Sequence, residues 1–328
     1  MPSAVKKHPG RAFAAAAALA VLGWAGQAPA QTYPDKPVRI VVPFAAGGPA
    51  DIYARAVAQH LTETLKQPFT VDDKPGGGSL IGTDIVAKSP ADGYTLLLIS
   101  NTHTVNETLY EKRPFTLMRD FTAISPINIA YLALVVHPEV PVKTVGDLIA
   151  AAKAKPAGLN YASSGSGTPY HMAGELFKAM AKVDITHVPY KGSSGARTDV
   201  MGGQVQMMFD SISTMTPFIR QGKVRGIATT GPKRDPVLAE LPTVGETVKG
   251  YTAEIWLGLM APAKTPKAIV EKLNTEVQKM VRAPEVKEAW AKQGAEPLRM
   301  STGEFTKYLN GDIAKWATVV KVSGAKVE

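Results

Sequence analysis

The stretch "VVPFAAGGPADIYAR", residues 41–55, joins an apolar run to a helical pattern through the glycine pair Gly47-Gly48. The apolar run is typical of a buried strand, and Pro49 suits the first position of a helix, where its missing N–H is not needed. In such a corner, the free N–H groups of the first helical turn and the positive end of the helix dipole point beyond the sheet edge. The corner therefore suits an anion, although the same residues also fit an ordinary strand-to-helix turn.

From Val38 onward, short β-rich runs alternate with helical patterns, which is typical of a mostly parallel sheet covered by helices. The runs at 69–73 and 94–100 complete one βαβαβ unit, the polar segment 101–121 reads as irregular, and the apolar run 123–138 opens a second α/β series. We therefore predict an α/β fold with two lobes. The predicted lobes are residues 31–126 with 252–328, and residues 127–251. The predicted buried stripe of the first helix is Ile52, Ala56, Val57, Leu61 and Leu65.

The N-terminus has the pattern of a secretory signal peptide, residues 1–30. Three basic residues precede an apolar stretch at 12–25, and "APA" at 28–30 fits a small-residue cleavage site. A membrane anchor is the alternative, but the apolar stretch is shorter than the roughly 20 residues that a spanning helix needs. We expect cleavage near Ala30 and a periplasmic protein beginning at Gln31. Loss of the three basic residues lowers the net charge from +9 to +6, and the scattered basic residues do not suggest a nucleic-acid partner.

The sequence offers little support for catalysis or for a cofactor. It contains no cysteine, which excludes thiolate nucleophiles and cysteine-ligated metals. The "SGSG" run at 164–167 lacks the pattern of a nucleophile elbow, and the Gly-rich run 75–84 has Thr83 where a phosphate loop requires lysine. His171 and Glu175 lie one helical turn apart without a third metal ligand. We expect no metal, no cofactor and no enzymatic activity.

A second corner, "YASSGSGTPYHMAGELF" at 161–177, repeats the physical pattern of the first. A strand leads through a Ser/Gly loop to Thr168 as N-cap and Pro169 at the first helical position. Two such helix N-termini that face each other would clamp one anion. Additional hydroxyl donors for a carboxylate come from Ser163, Ser164 and Ser166.

Several side chains at strand ends have both a binding and a structural interpretation. His171 either forms a wall of the cleft or packs in the core. Asp210 either accepts a hydrogen bond from a ligand or caps the following helix. Lys191 either attracts anions or is simply solvated, whereas Asn101 and Thr102 end a strand where ligands of open α/β sheets gather. Aromatic residues that would wall an apolar ligand body, or else belong to the core, are Phe44, Tyr170 and Trp256.

With these residues assembled, the chain resembles the Bug family of periplasmic receptors, the solute-binding components of tripartite tricarboxylate transporters. The resemblance covers essentially the whole mature chain and implies a type II periplasmic binding protein fold, with a hinge and a ligand cleft between two lobes. The stretches that carry it are "YPDKPVRIVVPFAAGGPADIYAR", "KPGGGSLIGTDIVAKSPADGYTLLLIS", "LNYASSGSGTPYHMAGELF", "ITHVPYKGSSGARTDVMGGQVQMMFD" and "VRGIATTGPKR".

The resemblance also implies where a ligand binds. A carboxylate would be held between two loops, largely by backbone amides and waters. One departure is "DDKPGGGS" at 72–79, which lacks the asparagine-arginine pair often seen before this loop. The absence of a clear arginine pair favours capture by dipoles and hydroxyls over a guanidinium clamp. The implied ligand-binding residues are Phe44, Ala45, Gly47, Gly48, Ala50 and Asp51 in one loop, Ser163, Ser164, Ser166, Gly167 and Thr168 in the other, and Asn101, Thr102, His171 and Asp210 around the remainder.

The predicted function is that of a monomeric receptor. It would capture a small carboxylate, such as a di- or tricarboxylate or an aromatic acid like terephthalate, and deliver it to the membrane subunits of the transporter. A ligand-sensing ectodomain of a signalling system is one alternative. An exported hydrolase that uses Ser166 is another, and it requires a histidine base and a carboxylate converging on that serine.

Overall fold

Ten strands hydrogen-bond into one mixed sheet in the part of the chain that the computed structural model describes, residues 1–4 and 33–326. Numbered in chain order, the strands run β2-β1-β3-β9-β4-β7-β5-β6, and both β8 and β10 pair with β4. The pairs of β1 with β2 and β3, and of β5 with β6 and β7, are parallel. The strands are β1 Val38–Val42, β2 Phe69–Asp73, β3 Thr95–Ser100, β4 Phe121–Val136, β5 Asn160–Ser163, β6 Thr186–Pro189, β7 Met207–Ser211, β8 Arg225–Thr229, β9 Glu254–Pro262 and β10 Ala295–Pro297.

Helices connect these strands and pack on the sheet, as the alternating pattern predicted. Within the described residues, none of them has the length and apolar character needed to cross a membrane. The predicted signal peptide and its cleavage site near Ala30 fall outside the described residues. The helices are α1 Pro49–Leu65, α2 Leu80–Ala87, α3 Asn101–Leu109, α4 Leu117–Asp120, α5 Val145–Ala154, α6 Pro169–Ala181, α7 Ser193–Met201, α8 Ile212–Arg220, α9 Val244–Thr247, α10 Lys267–Arg282, α11 Pro284–Ala291 and α12 Thr302–Ser323.

Strand β4 is shared by both halves of the sheet. Its first part pairs with β9, and its last residues, Leu132–Val136, pair with β7. The pairing with β9 shifts register on either side of Pro126, a residue that cannot donate a ladder hydrogen bond. The predicted lobe boundary after residue 126 therefore falls inside one continuous strand.

Two hydrophobic clusters pack along β4, one on its first part and one on its last residues. The first includes Leu97, Trp256 and Phe305, and the second includes Val135 and Met208. Because each of these side chains is almost fully buried, each contributes about 1.5–3 kcal/mol to stability. Their burial fixes the strands whose ends form the site.

Segment 101–121 is not irregular throughout, as the sequence suggested, because α3 occupies its first part. The Oγ atom of Ser100 accepts the N–H of Thr102 at 3.2 Å, and Nδ1 of His103 accepts the N–H of Ser100 at 3.1 Å. This arrangement is a capping box with histidine in the place usually taken by Glu or Gln. The unusual residue explains why the pattern was missed.

The buried face of α1 also differs from the prediction. Ile52 is 48% exposed, whereas Tyr53 is buried and packs edge-on against Trp290 at a ring-centroid distance of 5.1 Å. Val57 and Leu61 are buried as predicted. The aromatic contact with α11 thus rotates the buried stripe by one residue.

Candidate ligand-binding site

A cavity of about 480 Å³ lies at the carboxyl ends of the parallel strands. In open α/β sheets this edge is the usual ligand site. The loops after β1, β2, β3, β5 and β6 all reach the cavity, so both halves of the sheet contribute to it. Its lining comprises residues 43–46, 48–50, 75–79, Ser100, Thr102, Ser164, Gly165, 168–170, 190–195, Arg197, Ile255 and Leu257.

The N-termini of three longer helices meet at this cavity. Helix α1 enters it at Pro49, α6 at Pro169 and α7 at Ser193. Within the described chain, no side chain hydrogen-bonds to the first turn of α1 or α7 as a cap. Free N–H groups and positive dipole ends consequently face a common space, an arrangement that favours a bound anion.

The charged side chains of the lining are cationic. Lys191 and Arg197 contribute to the cavity surface, and no Asp or Glu is found among the described residues that line it. Nε of Arg197 lies 2.8 Å from Oδ2 of Asp210, which is buried behind the wall. Asp210 balances the charge of Arg197, so Lys191 is the side chain whose positive charge adds to that of the helix ends.

Other parts of the wall are apolar. Phe44, Tyr170, Ile255 and Leu257 contribute side chains, together with several prolines. Trp256, which the sequence also suggested as a wall, is instead fully buried and donates from Nε1 to Asp312 at 3.1 Å. A cavity that combines such apolar walls with hydroxyl and cationic groups is suited to a ligand with a hydrocarbon body and a charged end.

At the first corner, four of the six predicted residues line the cavity. These four are Phe44, Ala45, Gly48 and Ala50. Asp51 instead accepts the N–H of Gly47 at 2.8 Å and pairs with Nε of Arg55 at 2.6 Å. Asp51 and Gly47 therefore hold the shape of the turn and do not themselves line the cavity.

At the second corner, Ser164 and Thr168 line the cavity, whereas Ser163, Ser166 and Gly167 do not. Thr168 caps α6 as predicted. Oγ of Ser163 accepts the N–H of Gly165 at 3.1 Å and lies 2.6 Å from Nε2 of His187. These bonds shape the loop from behind its cavity-facing surface.

His171 also lies behind this loop. Its Nδ1 atom accepts the N–H of Gly167 at 3.0 Å, and its ring stacks on that of His187 at 4.0 Å between centroids. Burial lowers the pKa of His171 to about 4, and burial with the neighbouring His171 lowers the pKa of His187 to about 3. Both rings are therefore neutral at pH 7. Among the described residues, no cluster of three or more His, Cys, Asp or Glu is placed to hold a metal ion.

Of the remaining predicted residues, one lines the cavity and two form hydrogen bonds within the protein. Thr102 lines the cavity, whereas the side-chain amide of Asn101 donates to the carbonyl of Glu254 at 2.7 Å. Asp210 accepts the N–H of Ser211 at 2.7 Å. Ser211 is the N-cap of α8 and, among the described residues, no side chain caps that helix, so Asp210 is not the helix cap that the sequence suggested. Burial raises the pKa of Asp210 to about 6, although Arg197 opposes the shift.

The sequence interpretation missed the contribution of the loop after β6 beyond Lys191. Ser193, Ser194 and Arg197 all line the cavity, as does the Gly-rich loop before α2. The run "YKGSSGAR" is itself a Gly/Ser corner, so the criterion applied to the first two corners would have found it. Arg197 lies four residues after Ser193, on the same face of α7.

The chain is similar to known periplasmic receptors. The family described as "Tripartite tricarboxylate transporter family receptor" matches residues 53–325. Protein BugT of Bordetella pertussis is 34% identical over 313 residues, which cover 94% of this chain and 96% of BugT.

Two solved structures share the fold. An R. palustris protein solved with adipate is 36% identical, has a TM-score of 0.86 and is matched over 90% of this chain and 100% of its own. The periplasmic binding protein BugD is 32% identical, with a TM-score of 0.84 and the same coverage. The predicted class, an α/β periplasmic binding fold, is confirmed by these similarities.

Proposed function

We propose a ligand class and a mode of capture for this chain, which belongs to the receptor family of the tripartite tricarboxylate transporters. The predicted resemblance to the Bug family is confirmed, and this is a family of solute-binding receptors rather than of enzymes. Receptors of this family bind small carboxylates. The present receptor captures a small carboxylate in the cavity between the strand-to-helix corners.

The observation that carries this proposal is the convergence of helix N-termini and cations in a cavity whose described lining lacks acidic side chains. Backbone N–H groups at the starts of α1, α6 and α7 face a cavity whose described lining has no acidic side chain. The carboxylate of Asp51, in the first turn of α1, is instead bound to Gly47 and Arg55. A carboxylate has two acceptor oxygens and can bind several such donors at once. The apolar side chains of Phe44, Ile255 and Leu257 contact the body of the ligand.

The β1 corner and the β5 corner lie in different halves of the sheet, so a ligand that contacts both can link the two lobes. A ligand held by both the β1 and the β5 corners stabilises the closed arrangement relative to an open one. Here the lobes are residues 31–126 with 252–328, and residues 127–251. The exported, mature receptor then delivers its ligand to the membrane subunits of a tripartite transporter. N-terminal sequencing of the protein isolated from the periplasm tests export and should begin at Gln31.

The binding mode can be tested with a charge placed at Gly48. This glycine has φ −86° and ψ 171°, and a Cβ atom there would lie 3.5 Å from its nearest neighbour, the carbonyl oxygen of Ala45. A side chain is therefore tolerated at this position. Gly48→Glu adds a carboxylate at the anion site, and Gly48→Gln is its uncharged match.

Isothermal titration calorimetry with adipate, succinate and benzoate measures the effect. The unmodified protein should bind at least one of them at millimolar concentration or tighter. We expect Gly48→Glu to weaken that binding by about tenfold or more, because like charges repel, and Gly48→Gln to weaken it far less. Equal binding by the two variants, or no binding of any carboxylate by the unmodified protein, would contradict the proposal.

A further inference from the structure

We propose that Arg197 forms a second anion subsite, which makes the receptor selective for ligands that carry two negatively charged groups joined by an apolar spacer. This inference rests on the proposed function, since it assumes that the Gly/Ser corners hold the first carboxylate. It adds a specificity-determining side chain that the corner pattern alone does not reveal. The ligand class becomes dicarboxylates with a hydrocarbon or aromatic body.

The position of Arg197 is fixed by a buried partner. Its side chain is 15% exposed and contributes to the cavity lining. Nε lies 2.8 Å from Oδ2 of Asp210, whose side chain is 0% exposed and whose Oδ1 accepts the N–H of Ser211 at 2.7 Å. Asp210 is thereby held on β7, and it orients the guanidinium from behind.

This orientation leaves donors for a ligand. A guanidinium carries five N–H groups in a planar fork, and the contact with Asp210 involves Nε. Among the described residues, Asp210 is the one carboxylate paired with Arg197. Arg197 lines the cavity and Asp210 does not, and the contact with Asp210 is made by Nε, so the terminal nitrogens are the donors that we assign to a ligand. A planar fork suits a carboxylate, which can accept two parallel bonds.

Charge balance supports an anionic rather than a neutral group at this position. Arg197 and Asp210 together are neutral, and Lys191 adds an exposed positive charge to the same wall. The N-terminus of α7 lies one turn before Arg197 and adds a positive dipole end. No acidic side chain of the described lining competes for these groups.

The apolar walls define what joins the two anions. Phe44, Ile255 and Leu257 line the same cavity and provide apolar contacts for a hydrocarbon spacer. A monocarboxylic acid of equal length has no second carboxylate to accept hydrogen bonds from Arg197.

Adipate and hexanoate provide the test, because they have the same number of carbons and differ by one carboxylate. Calorimetry is performed on the unmodified protein, on Arg197→Met, and on the double variant Arg197→Met with Asp210→Asn. The second substitution removes the charge of Asp210, which would otherwise be buried without a partner. Arg299→Met is the matched control, because Arg299 is exposed and outside the cavity. Thermal melting of each variant verifies that it is folded.

The unmodified protein should prefer adipate to hexanoate by about tenfold or more, since hydrogen bonds to charged groups are worth roughly 10- to 100-fold in affinity. The double variant should lose this preference by weakening adipate while leaving hexanoate within about threefold, and the Arg299 control should retain it. If the double variant loses the same affinity for both acids, Arg197 binds the first carboxylate. If it loses no affinity for either acid, Arg197 serves only as the partner of Asp210. Either result, or equal binding of both acids by the unmodified protein, overturns the subsite alone, whereas failure to bind any carboxylate overturns the proposed function as well.

Discussion

The Nδ1 atom of His171 accepts the backbone N–H of Gly167 at 3.0 Å. Only an imidazole that carries no proton on Nδ1 can do so, and a stacked neighbour, His187, lies 4.0 Å away between ring centroids. The second corner of the cavity is therefore held by uncharged histidines, which lie behind the surface that lines it.

This arrangement predicts a loss of stability in mild acid. The pKa of His171 is lowered from 6.5 to about 4 by burial, with Lys178 as a second cause. Above pH 6.5 the ring is neutral in both folded and unfolded chains, and as the pH falls from 6.5 towards 4 only the unfolded chain takes up the proton. We expect this to lower the free energy of unfolding by about 2 kcal/mol over that range, measured by urea denaturation at several pH values.

His171→Asn retains an acceptor at the position of Nδ1 but has no titrating ring. The slope of its free energy of unfolding against pH should therefore correspond to the uptake of about one proton fewer on unfolding. The groups that face the histidine pair are Tyr161, Glu175 and Lys178, and they remain in this variant. His60→Asn, on α1, serves as a substitution distant in sequence. If His171→Asn shows the same pH slope as the unmodified protein, the histidine is not the titrating group.

Two Gly→Ala substitutions test whether the cost in stability depends on the backbone conformation of the glycine that is replaced. Gly167 has φ +77°, and a Cβ atom there would lie 2.8 Å from Cδ2 of Leu109. Gly167→Ala should lower the free energy of unfolding by about 2 kcal/mol, because the left-handed conformation and the contact are both unfavourable. Gly48→Ala, with its extended backbone, should change it by less than about 0.5 kcal/mol. Equal thermal shifts in the two variants would refute this explanation.

Asp51 should affect ligand binding through the turn it stabilises. Asp51→Ala removes the acceptor for Gly47 and the partner of Arg55, so we expect a loss of about 1 kcal/mol in stability and weaker carboxylate binding. Asp51→Asn keeps an acceptor oxygen and should bind the ligand nearly as well as the unmodified protein. Calorimetry distinguishes this role from direct contact, because removal of a negative charge beside a bound anion would instead strengthen binding.

A buried carboxylate on the last helix should destabilise the protein at neutral pH. Asp312 accepts from Oγ1 of Thr104 at 2.6 Å and from Nε1 of Trp256 at 3.1 Å, and burial raises its pKa from 3.8 to about 6. Folding thus favours the protonated form, and the stability associated with it is lost as the pH rises from about 4 through 6.

Asp312→Asn removes the charge and keeps an acceptor for both donors. We expect the variant to gain about 3 kcal/mol relative to the unmodified protein at pH 7.5 and little or nothing at pH 4. Thr104→Val, which removes only a donor, should not reproduce this pH dependence. A gain for Asp312→Asn that is equal at both pH values would show that ionisation of Asp312 is not the cause.

The sequence located the two corners because their signals are local. Glycines, a proline at the first helical position and an N-cap such as Thr168 identify a turn without knowledge of the rest of the chain. What it could not establish was the direction of each side chain. Asp51, His171 and Asp210 are close in sequence to cavity-lining residues, yet all three side chains are turned towards the protein. Asp51 and His171 accept backbone N–H groups of Gly47 and Gly167, four residues earlier, and Asp210 pairs with Arg197.

The same distinction explains the differences in fold. The β-rich runs predicted most strands, since their periodicity depends on few residues. Helix α3 was missed because its cap uses His103, and the exposure of Ile52 depends on the contact between Tyr53 and Trp290, 237 positions later in the chain. Arg197 became visible as a candidate ligand contact only when β6 and α7 were placed beside the other corners.

Strand β4 passes through both halves of the sheet without a break. A rotation of one half against the other must therefore twist a hydrogen-bonded ladder, since no flexible tether replaces it along this path. The elastic resistance of that ladder would limit the amplitude of such a rotation. Stiffness of a single strand would then set how readily the receptor exchanges its ligand.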